Sequence, residues 1–362
     1  MKKNQFLFLL FLGFITLFSC RSEKEPEAGQ LNLNALLQPV PAKARFINDT
    51  LFIWGGSLVH SETDGKYHLY YSRWPKKLGM SAWVTHSEIA HAVSESPFGP
   101  FRFQDVALPS RDPEFWDGKV THNPTIHFFD GKYYLYYMGN TGNADAGDLY
   151  WEHRNKQRIG VAVADHPSGP WLRSRTPLIN ISADSTAYDA VMVSNPSVTR
   201  RPDGKYLMVY KAVAKKLPAP KFGPVVHLTA VSDSPLGPFV KQMKPVFTAE
   251  GEEFPAEDPY VWYDTAHACY YAIVKDMKGA FTDAGRSLVL FWSPDGFDWK
   301  LAKNPLVSKL EINWENGTVR KVLALERPQL FTANGKPVAL LCAVNETIDH
   351  SFNVQIPLKP LE

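Results

Sequence analysis

Cysteine is scarce: three residues in 362, at positions 20, 269 and 342. That is too few for a disulfide-stapled scaffold, and the spacing has no metal-site pattern. An excess of charge is missing too, with 39 basic against 37 acidic side chains and a net charge of +2. A bulk positive field for nucleic acid is therefore disfavoured, and no such partner is expected. The longest apolar run, Phe6 to Phe18, has thirteen residues, too few for an ordinary membrane-spanning helix. Also absent are a Walker loop, a GxSxG elbow, an HExxH motif and a convincing dinucleotide fingerprint. What is plentiful is 28 Pro, 23 Gly and 13% aromatic residues. Short strands and tight turns suit that mixture; a helical bundle or a disordered chain does not.

The apolar run follows Lys2 and Lys3 and ends Leu17-Phe18-Ser19-Cys20. This resembles a bacterial lipoprotein signal, cleaved before the Cys whose thiol carries the lipid. Residues 1–19 are read as the signal peptide, and 20–44 as the lipidated Cys20 with a flexible tether. Arg21 to Ala28 is charged and lacks apolar periodicity, and its acidic residues loosely resemble a Bacteroidetes surface-export signal. The expected location is the bacterial cell envelope, on the periplasmic or surface-exposed face of the outer membrane. The lipid anchor is then the only membrane contact. Cys269 and Cys342 sit in apolar strand-like runs and are expected as buried free thiols.

The remainder, residues 45–362, repeats itself. DGKYHLYYS at 64–72 returns as DGKYYLYYM at 130–138 and DGKYLMVYK at 203–211, with offsets of 66 and 73 residues. Degenerate copies run from Asp264 to Lys275 and from Asn334 to Asn345. A second repeated phrase is a turn: SPFGPF at 96–101, HPSGPW at 166–171, SPLGPF at 234–239 and SPDGFDW at 293–299. Apolar residues alternate with period two, so the units are strands joined by Asp-Gly and Asn-Gly hairpins. Five such units predict an all-β fold, a five-bladed β-propeller.

In a propeller the innermost strands converge on a central funnel. A Pro aligns four of them here: Thr121-His122-Asn123-Pro124, Val193-Ser194-Asn195-Pro196, Ala256-Glu257-Asp258-Pro259 and Leu325-Glu326-Arg327-Pro328. The first blade has Trp54-Gly55-Gly56 instead. The register gathers His122, Asn123, Asn195, Glu257, Asp258, Glu326 and Arg327 into one polar ring. Carboxylates facing a common funnel are costly unless paired or used. Used, they suit acid and base work on a glycosidic bond; unused, Glu326 pairs with a base and Asp258 caps a turn.

The DGKYYLYY repeat and the SPxGPF turn resemble the five-bladed glycoside hydrolases around family 43, with the related families 32 and 117, over essentially the whole mature chain. The resemblance implies a glycosidase acting on a plant or algal oligosaccharide or polysaccharide, exo-acting by analogy. The family 43 acid lies in a Glu-x-Pro pattern on blade four, which implies Glu257 as general acid. The blade-one base falls on Gly55-Gly56 and is missing, and the acid-tuning Asp falls on Asn195. Asp258, Glu326 and Asp117 are then the candidates to activate water or tune the acid, with Asp189 behind them. The alternative is a glycan-binding propeller lipoprotein that has lost catalysis. No cofactor is required and no metal ligands are assigned; a structural cation at the propeller centre is left open.

Several other residues could meet a sugar. Trp54, Trp74 and Trp83 could stack on a ring, and His86 or His122 could act as in family 117. His86 and Glu88 are two apart and would share a strand face. The loop from Gly139 to Asp148 resembles a calcium loop only loosely and reads better as a flexible active-site loop. Lys275, Arg73, Arg111 and Arg327 supply cations. Should several face the funnel, an anionic sugar such as a uronate or a sulfated residue fits.

Overall fold

The computed structural model describes residues 27–360. Its core is five four-stranded antiparallel sheets, four of them running from an inner strand outward in chain order. The inner strands are Leu51–His60, Val120–Phe129, Met192–Arg200, Ala256–Asp264 and Ala324–Ala333. The predicted five-bladed propeller is therefore the fold. Each DGK phrase is the hairpin turn into, and the start of, the second strand, because Gly65, Gly131 and Gly204 supply the positive φ that a tight turn needs.

The two repeated phrases meet in space. The Tyr70 hydroxyl of blade one donates to the Pro167 carbonyl in the blade-two turn. Tyr136 of blade two donates to Pro235 in the blade-three turn at 2.8 Å. The aromatic strand and the Pro-Gly turn are thus two halves of one interblade contact. Neighbouring inner strands do not pair as a sheet, so hydroxyls satisfy backbone donors between blades. Ser57 accepts from Ile126 N at 3.0 Å, Ser72 from Asn123 N at 2.8 Å, and Ser197 from Val261 N at 2.8 Å.

The fifth blade closes differently from the other four. Its outermost strand is Arg45–Ile47, paired with His350–Pro357, so the start of the propeller completes its last sheet. Residues before it depart from the expected tether. Leu31, Leu33, Val40 and Ala44 are buried in the cluster shared by blades four and five. Gly29 N donates to the Tyr271 hydroxyl at 3.1 Å, and Asn34 Nδ2 to Val307 O at 2.9 Å. The reason is local sequence: Leu31-Asn-Leu33 alternates apolar and polar residues and seats its leucines in the core. The signal peptide, Cys20 and the charged stretch up to residue 26 lie outside the described residues. Leu33→Ala is expected to cost about 2–5 kcal/mol, as a buried leucine does, read as a lowered thermal midpoint. An unchanged midpoint would mean the segment only rests on the surface.

Cys269 and Cys342 are both buried free thiols, as expected. Two short helices were not foreseen, α1 (Trp83–His86) and α2 (Leu149–Asn155). Both leave second strands and project over the same end of the funnel.

Candidate active site

Every inner strand carries a bulge at the aligned position. The strand register slips between Trp54 and Ser57, His122 and Thr125, Ser194 and Ser197, Glu257 and Tyr260, and Glu326 and Gln329. At each bulge one residue is left-handed: Gly55, Asn123, Asn195, Asp258 and Arg327, with φ between 51° and 59°. Asn and Asp tolerate this conformation; an Arg rarely adopts it. A bulge re-aims side chains, and here it brings Trp54, His122 and Asn123, Asn195, Glu257 and Asp258, and Glu326 to one cavity.

The left-handed residues form the lower tier. Asn123 Nδ2 donates to Asn195 Oδ1 at 2.9 Å, and Asn195 Nδ2 to Asp258 Oδ1 at 2.6 Å. Arg327 completes the ring, reaching Asp258 Oδ1 at 3.4 Å and Asn123 O at 3.5 Å. Blade one contributes no side chain. A Cβ on Gly55 would lie 3.3 Å from Asn123 Oδ1 and 3.5 Å from Arg327 Cγ. Arg327 therefore packs beside the bare backbone of Gly55, and a longer blade-one side chain would crowd it.

The upper tier lines a cavity of about 390 Å3, near the small end of ligand sites. Among its lining residues Trp54, Trp74, Met80 and Trp83 pack on one another, Lys211, Glu257, Arg286 and Glu326 are joined by ion pairs through Lys275, and Asn123, Asn195 and Asp258 come from the lower ring. Trp83 of α1 stacks on His122, ring centres 4.8 Å apart, and Tyr150 of α2 meets Trp83 edge-on. Asp148 caps α2 by accepting from Trp151 N.

Lysines organise the carboxylates. Lys275 Nζ bonds both Glu257, at 3.2 Å, and Glu326, while Lys211 Nζ bonds Glu257 at 2.9 Å. Arg286 reaches Glu326 at 3.4 Å. Burial alone would raise the Glu257 carboxyl, but Lys211 and Lys275 outweigh it and hold the group well below the usual carboxylate range. Glu326 goes the other way: burial raises it, with help from the charges of Glu257 and Asp258, against the pull of Lys275. His122 accepts from or donates to Ser87 Oγ at 2.7 Å through Nδ1. Burial, with Arg327 and Lys211 nearby, pushes it well below its ordinary value, so the ring is neutral.

The expected residues divide. The structure brings Glu257, Asp258, Glu326, Trp54, Trp74, Trp83, His122, Asn123 and Asn195 to the cavity lining. Lys275 lies under it, 4% exposed. Arg327 is not a substrate contact, because it is buried beneath the lining and spent on the lower ring. Asp117 cannot act as base there: it is fully buried away from the cavity, held by Arg111 Nε at 2.7 Å, Arg173 at 3.5 Å and the Tyr137 hydroxyl at 2.7 Å. Asp189 is buried likewise against Lys241 at 2.6 Å. His86 lies outside the cavity, exposed and bonded to Thr85 Oγ1 at 2.8 Å. It ends α1 while Glu88 begins a strand, so the two share no strand face. Arg73 pairs with Glu88 and Arg111 with Asp117, both off the cavity.

Lys211 and Arg286 were missed. Lys211 was visible in principle: it ends its repeat where Lys275 ends the next, and the two lie opposite Ser194 and Glu257, each just before the left-handed residue of its inner strand. Arg286 stands in a connection with no repeat to align it.

Glu257, Asp258 and Glu326 place one oxygen each within 4.8 Å of the others, the donor type of a hard cation. The ammonium of Lys275 and the guanidinium of Arg327 already take those oxygens, so the residues do not fit a central metal ion.

Residues 122–355 match the glycosyl hydrolases family 32 N-terminal domain. No curated protein matches the chain in sequence. Among solved structures it is similar to a family 117 glycoside hydrolase produced by the marine bacterium Zobellia galactanivorans. They share 21% identity over 88% of this chain and 89% of that one, with a TM-score of 0.60. BT0996, solved in an RGII complex, aligns at 13% identity, 91% and 94% coverage and TM-score 0.66. An endo-arabinase from Bacteroides thetaiotaomicron aligns at 11% identity, 88% and 96% coverage and TM-score 0.54. At these identities the likeness shows the propeller fold.

Proposed function

The chain belongs to the family of the glycosyl hydrolases family 32 N-terminal domain, and from that premise we propose an exo-acting, retaining glycosidase that removes a terminal sugar from plant or algal oligosaccharides. One observation carries the reading. Two glutamates with opposed protonation tendencies share an aromatic-walled cavity, with carboxyl oxygens within 4.8 Å of each other. Retaining enzymes hold their carboxyl groups about 5–5.5 Å apart, whereas inverting ones need roughly 6.5–9.5 Å for a water.

The electrostatics favour the reverse of the roles implied by the Glu-x-Pro resemblance. Glu257, kept ionised by two lysines, is the nucleophile. Glu326, kept protonated more readily, is the acid. In the first step the Glu326 proton goes to the glycosidic oxygen as its bond to the anomeric carbon breaks, and a Glu257 oxygen bonds that carbon. In the second, Glu326 takes a proton from water, the water oxygen bonds the anomeric carbon, and Glu257 leaves as a carboxylate. One negative charge moves from Glu257 to Glu326 and back. Lys275 touches both glutamates, so it is paired at each stage without moving far. Trp83 and the edge of Trp54 would hold the sugar face, with Trp74 buried behind them, and the closed floor favours a chain end over a chain interior. The lipidated Cys20 would tether this activity to the cell envelope, and Cys20→Ser should then release it from the membrane fraction.

The test is product analysis on a panel of plant and algal oligosaccharides. Single sugars released from one end, with retained anomeric configuration, support the reading. Binding without release would favour the lectin-like alternative, in which Lys275 permanently locks both glutamates. The pH profile adds a sharper check. Activity needs Glu257 ionised and Glu326 protonated, so it is lost at low pH through the first and at high pH through the second. Lys211→Met removes one cation beside Glu257 and must raise its pKa. The acid limb of kcat/KM should move to higher pH while the alkaline limb holds; an unmoved acid limb would remove Glu257 from that role.

A further inference from the structure

The cavity holds more positive charge than its carboxylates use. Glu257, Asp258 and Glu326 face Lys211, Lys275, Arg286 and Arg327. Two of these cations are spent. Lys275 is divided between Glu257 and Glu326, and Arg327 is 1% exposed on Asp258 and the Asn123 carbonyl. The other two line the cavity wall. Lys211 has Glu257 as its one polar partner among the described residues, and Glu257 already has Lys275. Arg286 is 46% exposed and holds Glu326 only at 3.4 Å. Both line the same cavity as Trp54 and Trp83, within reach of a sugar held there.

From this surplus we infer that the sugar taken into the cavity carries a carboxylate: the site is built for a uronate, and Lys211 and Arg286 are its specificity-determining residues. The inference rests on the glycosidase reading for the identity of the site and adds the substrate class. A neutral sugar can hydrogen-bond to this wall but leaves its extra charge unanswered. A carboxylate answers it in a partly desolvated place, where charge-assisted hydrogen bonds are at their strongest. When Glu326 is protonated for catalysis the surplus grows by one, so the anion is bound best in the state that reacts. Arg286 can meet a carboxylate with two parallel N–H donors, which fixes the orientation of the ring as well as its charge.

Calorimetric titration of the protein with galacturonate, galactose and galactose 6-sulfate tests it without requiring turnover. Galacturonate should bind at least tenfold more tightly than galactose, about 1.4 kcal/mol, and the margin should shrink as salt rises. Arg286→Met and Lys211→Met should each narrow the margin several-fold. Equal binding of galacturonate and galactose, no binding of either, or a margin that survives both substitutions overturns the inference. Tighter binding of the 6-sulfate would move the anion from carboxylate to sulfate ester and overturn the uronate assignment. Absence of hydrolysis on every oligosaccharide, with the uronate margin intact, would fail the glycosidase reading alone.

Discussion

Glu326→Gln should lower kcat on an unactivated oligosaccharide by about 10²–10⁴, the usual contribution of a general acid, or roughly 3–5 kcal/mol of barrier. The loss should nearly vanish in the first step for an aryl glycoside whose leaving phenolate needs no proton. Such a substrate would then stall at the second step, where Glu326 is the base, and show a burst of released phenol. Glu257→Gln should be inactive on both kinds of substrate, because no leaving group replaces a missing nucleophile. The pair of outcomes separates the two assignments. If Glu257 were the acid, its amide variant would be the one rescued by a good leaving group. Neither change alters side-chain volume much, and Lys275 keeps one glutamate in each. Melting temperatures near the wild type would show that the loss is chemical.

The fold was legible because the repeats are contacts. DGKYxLYY and SPxGPF meet in space where Tyr70 of blade one and Tyr136 of blade two bond the turn of the next blade, so between these blades the contact is written into the sequence; the third copy has Val209 at the matching place. The ring was legible for the same reason. A left-handed residue followed by Pro marks the bulge in four blades, so the inner positions could be aligned without coordinates. What could not be read was anything set by a partner distant in sequence. Asp117 and Glu257 are both acidic residues near an inner strand. Only the arrival of Arg111, Arg173 and Tyr137 makes the first a buried structural carboxylate. The role of Arg327 is set by Asp258 and the Asn123 carbonyl, which lie some 70 and 200 residues away. The short helix α2 had a local signal that was passed over. Asp148 stands at its cap, and Glu152 is four residues before Lys156, which it meets as an ion pair.

The lower ring makes the largest stability prediction. Arg327→Met should destabilise the propeller by about 3–5 kcal/mol, because it strands a carboxylate that is already out of water. Asp258 is 4% exposed, and among the described residues Arg327 is its one cationic partner by ion-pair distance. Asn195 would still donate to Asp258 at 2.6 Å, but an amide does not balance a charge. The methionine also fails to reach the Asn123 carbonyl and leaves space beside Gly55. A fall in thermal midpoint of roughly 4–7 °C is expected for a domain of this size. Packing and charge can be told apart. In Arg327→Met combined with Asp258→Asn, the orphaned charge is gone while the cavity stays, so more than half of the lost stability should return. Failure to return would assign the cost to the cavity at the axis. A single variant as stable as the wild type would mean that Arg327 does not hold the ring.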